Sequence, residues 1–106
     1  MFRNERLTSL IQLRSAEFFR TEVAPGTLVT VNDVVLEQNG HLATIFISVL
    51  PETSEGSVIK ILEKSTGRLK TYVHEHAQIG HLPDFQIKLD RGEKIRRAID
   101  SLGKIE

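Results

Sequence analysis

Four cations stand close together past the middle of this chain: Lys60, Lys64, Arg68 and Lys70, with Glu63 the single acid among them. They surround Ser65-Thr66-Gly67, three residues that hold a helix poorly. Ser and Thr hydroxyls compete for backbone hydrogen bonds, and Gly costs roughly 1 kcal/mol against Ala. On either side the apolar residues keep helical spacing, with Val58 and Leu62 before the interruption and Leu69 and Val73 after it. The pattern predicts a helix, a kink and a second helix, with Gly67 absorbing the change of direction. A helix that starts inside a cationic cluster offers free N–H groups and a positive dipole end to an anion. The chemistry implied is the holding of an anion. The alternative is a solvated helix pair whose glycine merely ends the first helix.

Nothing else in the chain suggests bond-making. There is no Cys, so a thiol nucleophile, a disulfide framework and a Cys-based zinc site are excluded. Ser57 and Ser65 lack the context of a catalytic triad, and Asp84 and Asp90 flank a short strand instead of converging on a pocket. No Gly-rich nucleotide-binding fingerprint is present. His41, His74, His76 and His81, with Glu75, invite a metal reading. Residues two apart on a helix point about 200° apart, so His74 and His76 do not share an ion. The histidines therefore read as solvated or partly packed. No cofactor, no metal, no small-molecule substrate and no catalysis are expected.

The elements that must position the cationic cluster follow from patterning. Arg3 to about Glu22 reads as an amphipathic helix with Leu7, Leu10, Ile11, Ala16, Phe18 and Val23 on its apolar face, ended by Pro25-Gly26. Leu28–Leu36 reads as a strand whose alternation slips at Asn32-Asp33, as a bulge or a strand covered on both faces would produce. Asn39-Gly40 predicts a hairpin, because both positions tolerate positive φ. Leu42–Leu50 is the returning strand, with Ala43, Ile45, Ile47 and Val49 on one face. Thr53 or Ser54 is a candidate N-cap for the helix pair, which stops near Gly80, with Pro83 barring continuation. Phe85, Ile87 and Leu89 form a short half-buried strand. Asp90-Arg-Gly-Glu93 has capping-box spacing ahead of a last helix striped by Ile95, Ala98, Ile99 and Leu102. The order is α-β-β-α-α-β-α, an α+β fold with a three-stranded mixed sheet in one domain, residues 1–106, whose C-terminal helix after about residue 92 is expected to be loosely held.

Charge is neutral in total but uneven. Residues 1–20 carry +2, residues 21–59 have no Lys or Arg and carry −5, and residues 60–106 carry +3. Local field, more than the total, steers a polyanion. Phe18, Phe46 and Phe85 sit in apolar patterns and read as core, and Tyr72 as an amphipathic edge residue, leaving few rings for base stacking. The charged start is not followed by the apolar run of a signal peptide, and no stretch is long enough to span a bilayer. A cytoplasmic monomer without membrane contact is expected.

This element order resembles the type II KH arrangement, in which a helix-kink-helix lies between the second and third strands. No Gly-x-x-Gly loop occurs, and the sequence is most similar to the bacterial ribosome-binding factor A family, KH-like proteins in which a short Ala-x-Gly interruption replaces that loop. Here it reads Ser65-Thr66-Gly67, followed by Arg68-Leu69-Lys70, with Ser65 in place of the family's Ala. The similarity extends to Arg3 and Arg6 ahead of the first helix, to Val29–Val34 and Ala43–Val49 as the first two strands, and to Pro83, Phe85, Ile87 and Asp90 around the third. Phe85 and Ile87 exchange the family's aliphatic and aromatic positions. The resemblance implies a non-enzymatic assembly factor that binds the small ribosomal subunit and helps mature its 16S rRNA, often linked to growth in the cold. The residues expected to face RNA are Lys60, Lys64, Ser65, Thr66, Gly67, Arg68 and Lys70, with Arg3 and Arg6. A second reading keeps the scaffold but docks an acidic protein partner on the same basic helix pair.

Overall fold

A computed structural model describes residues 2–77 and 80–92, with side chains from residue 5 onward. The expected C-terminal helix lies outside these residues. Helix α1 (Phe2–Glu22) leads into strand β1 (Leu28–Glu37), which turns back as β2 (Leu42–Leu50). Helices α2 (Glu55–Lys64) and α3 (Thr66–Ala77) follow, and β3 (Asp84–Leu89) closes the described chain. The sheet order is β1-β2-β3, antiparallel between β1 and β2 and parallel between β2 and β3. A parallel neighbour needs a crossover, and the α2–α3 pair supplies it. Among the described residues this is the expected α+β arrangement, a mixed three-stranded sheet with the N-terminal helix and the helix pair.

The slip in β1 is a bulge between Val31 and Asp33. One extra residue reverses the phase of the pleat, so Val29 and Val31 before it share the core face with Val34 and Leu36 after it. The bulged Asn32 uses both protons of its amide: Nδ2 donates to Ser48 Oγ at 2.6 Å and to Asp90 Oδ2 at 2.9 Å. Asp90 N–H in turn donates to Ile47 O at 2.7 Å. The residue that breaks β1 thereby ties it to the end of β3. The hairpin forms where expected, but its connection is Gln38–His41 instead of a two-residue turn. Gln38, Asn39 and Gly40 all have positive φ (53°, 56° and 84°), which the Asn-Gly pair makes inexpensive for two of the three.

The core lies on one face of the sheet. Ala43, Ile45, Ile47 and Val49 of β2 are buried there with Ile87, under Val58, Leu62, Leu69 and Val73 of the helix pair. The face of α1 is rotated from the sequence reading. Its stripe is Ile11, Ser15, Phe18 and Phe19, at spacings of four, three and one, whereas Leu10 is only half-buried. Ser15 is tolerated inside because its hydroxyl donates back to Ile11 O. Phe46 is buried as expected, although on the opposite face of β2 from Ile45 and Ile47 and outside this cluster. Phe85 is half-buried at the edge of the core.

Phe19 is fully buried and holds α1 to the sheet. Replacing it with Ala leaves a cavity and should cost about 3–5 kcal/mol, a large share of a small domain's stability. Urea unfolding of Phe19→Ala beside Leu10→Ala measures this, with Leu10→Ala expected to lose much less.

Candidate nucleic-acid interface

Helix α2 ends at Ser65, and there the chain changes direction. Ser65 has φ −96° and ψ 1°, between the helical and extended regions, and its N–H donates to Leu62 O at 3.0 Å, one residue short of α-helical reach. The backbone of Gly67, by contrast, is already inside α3. The kink expected at Gly67 is therefore made by Ser65, and it is made by burial. Ser65 is 2% exposed, its hydroxyl proton lies between Ile61 O at 2.8 Å and Glu22 Oε1 at 3.0 Å, and Arg68 Nη2 donates to Ser65 Oγ at 3.1 Å. Only a small side chain fits this position, and a hydroxyl gives it partners.

Glu22, the last residue of α1, is the centre of that arrangement. Both guanidinium nitrogens of Arg68 reach its carboxylate, one at 3.3 Å and the other in a shorter contact. Burial pushes the Glu22 carboxyl up, but hydrogen bonds from Arg68 and Ser65 outweigh it and hold the group below its ordinary range. An internal anion thus occupies the start of α3, the place where an external one was expected. The same helices meet again one turn on. Tyr72 donates to Glu17 Oε1 at 3.0 Å, its ring tilts against Phe18 at 5.6 Å and stacks on His76 at 4.0 Å, and Arg68 lies 5.7 Å from the Phe18 centroid. Tyr72 is an edge residue in packing.

The candidate residues separate into groups. Lys60 and Lys64 are exposed on α2 and form no ion pair with any described residue. Arg68 is 66% exposed but engaged with Glu22, and Lys70 Nζ is 3.0 Å from Asp84 Oδ1. Ser65 is interior. Thr66 is half-buried and donates to Glu63 O at 3.2 Å, while Gly67 is exposed. Arg6 is exposed on α1 beside Leu10 and Leu13. Sixteen residues of helix separate it from Glu22, about 24 Å along the axis, so it does not join the kink cluster. The side chain of Arg3 lies outside the described set.

One feature escaped the sequence reading. An open groove of about 330 Å³ runs between α3 and the loop before β3, lined by Gly67, Lys70, Thr71 and His74 on one side and Gly80, His81 and Leu82 on the other. Its helical wall repeats at intervals of three, one and three residues, a polar stripe opposite Leu69 and Val73 that was available in the sequence. Among the described residues no group of three or more His, Asp or Glu side chains could hold a metal ion, and no helix is long and apolar enough to cross a membrane.

Comparison with known proteins places the chain among relatives. A sequence model described as ribosome-binding factor A matches residues 3–102. Ribosome-binding factor A of Brevibacillus brevis is 32% identical over 75 residues, a match that covers 70% of this chain and 62% of the relative, so the chain spans under two thirds of that relative's length. In structure, the chain is similar to the crystal structure of ribosome-binding factor A from Thermus thermophilus, with a TM-score of 0.70, 20% identity, and coverage of 82% of this chain and 96% of that one. It is also similar to a homology model of the Thermus thermophilus factor fitted into the cryo-EM map of a 30S complex, with a TM-score of 0.66, 21% identity, and coverage of 76% and 88%.

Two outcomes check this geometry. Because the Glu22 carboxyl is held low, its contribution to stability is present above the unfolded value of about 4.5 and is lost as pH falls through the lower folded value. Thermal unfolding of wild type and Glu22→Gln should therefore differ by about 1 kcal/mol at neutral pH, modest because Arg68 is largely in water, and converge in acid. Gly67→Ala should be neutral or stabilising by up to about 1 kcal/mol, since an added Cβ there meets nothing within 4 Å and Ala favours helix. A kink that depended on Gly67 would make the same change destabilising in urea unfolding.

Proposed function

The chain belongs to the ribosome-binding factor A family, and from that premise we propose that it binds the small ribosomal subunit through RNA and assists maturation of 16S rRNA without catalysis. The observation that carries the reading is the pair Lys60 and Lys64, two exposed cations one helical turn apart on α2, beside the Ser65 kink and not committed to any described carboxylate. Phosphate contacts dominate affinity for RNA, and uncommitted cations form them without first breaking an internal pair. The relative fitted into a map of a 30S complex supports the choice of subunit. Ser65 acts in this reading by shaping the kink, Arg68 and Lys70 by extending the field around it, and Arg3 and Arg6 as a separate patch on α1. The protein works in the cytoplasm, where ribosomes assemble.

The residues suggest a cleaner test than reversing Arg68, which would also release Glu22. Lys60→Glu with Lys64→Glu should weaken co-sedimentation with purified small subunits and leave the unfolding transition nearly unchanged, because surface substitutions usually shift stability by only about 0.5 kcal/mol. Each lost phosphate contact should reduce the log–log salt dependence by about 0.7 to 0.9. Wild-type binding by the double variant would move the RNA-facing surface elsewhere, and a complex that survives nuclease treatment would favour a protein partner. In cells lacking the protein, small subunits should accumulate with unprocessed rRNA ends while large subunits mature normally, which gradient profiles and primer extension measure.

A further inference from the structure

We propose that Glu22 is a built-in competitor of RNA at Arg68, so that an RNA phosphate binds there by taking the guanidinium from the carboxylate. The proposal rests on the RNA-binding reading above and deepens it, by naming the residue that sets how tightly this surface holds. Lys60, Lys64 and Arg68 recur at every fourth residue, and all three are exposed. The two lysines have no described acid to give up, whereas Arg68 has one. Its Nη1 lies 3.3 Å from Glu22 Oε2, while its Nη2 contacts Glu22 Oε1 and donates to Ser65 Oγ at 3.1 Å. A planar fork on two oxygens is the geometry in which arginine also holds a phosphate. The Glu22 carboxylate and a phosphodiester therefore call on the same donors.

The pair is lopsided in a way that suits exchange. The Glu22 side chain is 12% exposed and that of Arg68 is 66% exposed. Glu22 ends α1 and accepts from the Ser65 hydroxyl at 3.0 Å, so it keeps a partner when Arg68 turns away. Burial pushes its carboxyl up, but the bonds from Arg68 and Ser65 hold it below its ordinary range, so the competitor is charged at neutral pH. Arg68 reaches out past the Phe18 ring, and most of its charge is in water. Breaking an exposed pair of this kind costs little, and a phosphate that offers the same two acceptors offsets it. The net contact is then weaker than that of an unpaired arginine, and a carboxylate stands ready to take the guanidinium back as the RNA leaves. Glu63 supplies the contrast. It is exposed on α2 between Lys60 and Lys64 and forms no ion pair with any described residue, so it adds negative charge to the same surface without holding Arg68.

The test is a double-mutant cycle read by fluorescence anisotropy with a labelled single-stranded oligouridylate and by co-sedimentation with purified small subunits, each across a salt series. Glu22→Gln keeps an acceptor for Ser65 and removes the charge. It should tighten binding by about two- to fivefold, the scale of one exposed ion pair, and steepen the log–log salt dependence by about 0.7. Arg68→Gln should weaken binding more in the Glu22→Gln background than in wild type. Glu22→Asp, which keeps the charge but draws it back by one methylene, should tighten binding by less than Glu22→Gln and covers the case in which that variant does not fold. Glu63→Gln should change binding by the same factor with Arg68 or without it. Thermal unfolding of every variant shows that the binding temperature lies below its transition. The proposal is overturned if neither Glu22 variant binds more tightly than wild type, or if the gain in Glu22→Gln survives loss of Arg68. In either case, loss of RNA and subunit binding in the Lys60/Lys64 reversal keeps the function above, whereas wild type that binds neither RNA nor subunits removes both.

Discussion

The structure depends on a bend that must be both sharp and buried. Helix α2 packs on β2 and β3, and α3 packs on α1 and β3, so the crossover serves two neighbours in two directions. A straight rod would meet one of them and leave the other open. The chain changes direction at Ser65, which sits inside the core and not on its surface, and this demands a small side chain with every polar atom satisfied. The hydroxyl meets that demand by bonding to Ile61 and Glu22, and in doing so it draws the end of α1 onto the start of α3. The position of α1, and with it the burial of Phe18 and Phe19, follows from how the kink satisfies its own polar group.

The same junction shows why charge counted along a sequence misjudges a folded surface. The acidic stretch from 21 to 59 and the basic stretch after it look like two poles. In the fold they are partly neutralised against each other: Glu22 takes Arg68, and Glu55 accepts from Arg91 at 3.2 Å. Lys70 is met by Asp84 from its own half of the chain. These exposed pairs add at most about 1 kcal/mol each, so their effect is mainly orientation, pinning α3 to α1 and β3 and α2 to the end of the sheet. What they leave is a smaller and more local positive surface than the composition of the helix pair implied.

Much of the fold was legible because it depends on pattern. The β2 alternation, the stripe of Val58, Leu62, Leu69 and Val73, and even the bulge at Asn32 were visible as periodicity or as its failure. The errors came where a residue's role is set by what lies across from it. Gly67 looks like the kink because glycine is the poorest helix former in the stretch, yet tertiary burial at Ser65 decided the point of bending. Leu10 looks like core because it is apolar, but Phe19, about 180° around the helix from it, is the residue fully buried in the core. The hairpin took four connecting residues because Gln38 joined Asn39 and Gly40 in positive φ. For the candidate site, the cations could be named from sequence but not sorted, since their partners Glu22 and Asp84 lie 46 and 14 residues away in the chain. The groove was missed because its two walls belong to different segments.

The sparse aromatic content takes on a definite meaning in the fold. Phe18 and Phe19 pack edge to face at 6.3 Å, Phe18 carries Tyr72 on its other side, Phe46 is buried, and Phe85 is half-buried against the core. Among the described residues, then, the rings are used in packing. Recognition by stacking on bases needs rings presented to solvent, whereas exposed lysines suit phosphates, whose spacing depends on how an RNA is folded and little on its sequence. A contact of that kind selects a place on a structured particle by shape. On the proposed RNA-binding reading, a local patch that matches one arrangement of phosphates would suffice for a chain with no net charge, and the neutral remainder would limit attachment everywhere else.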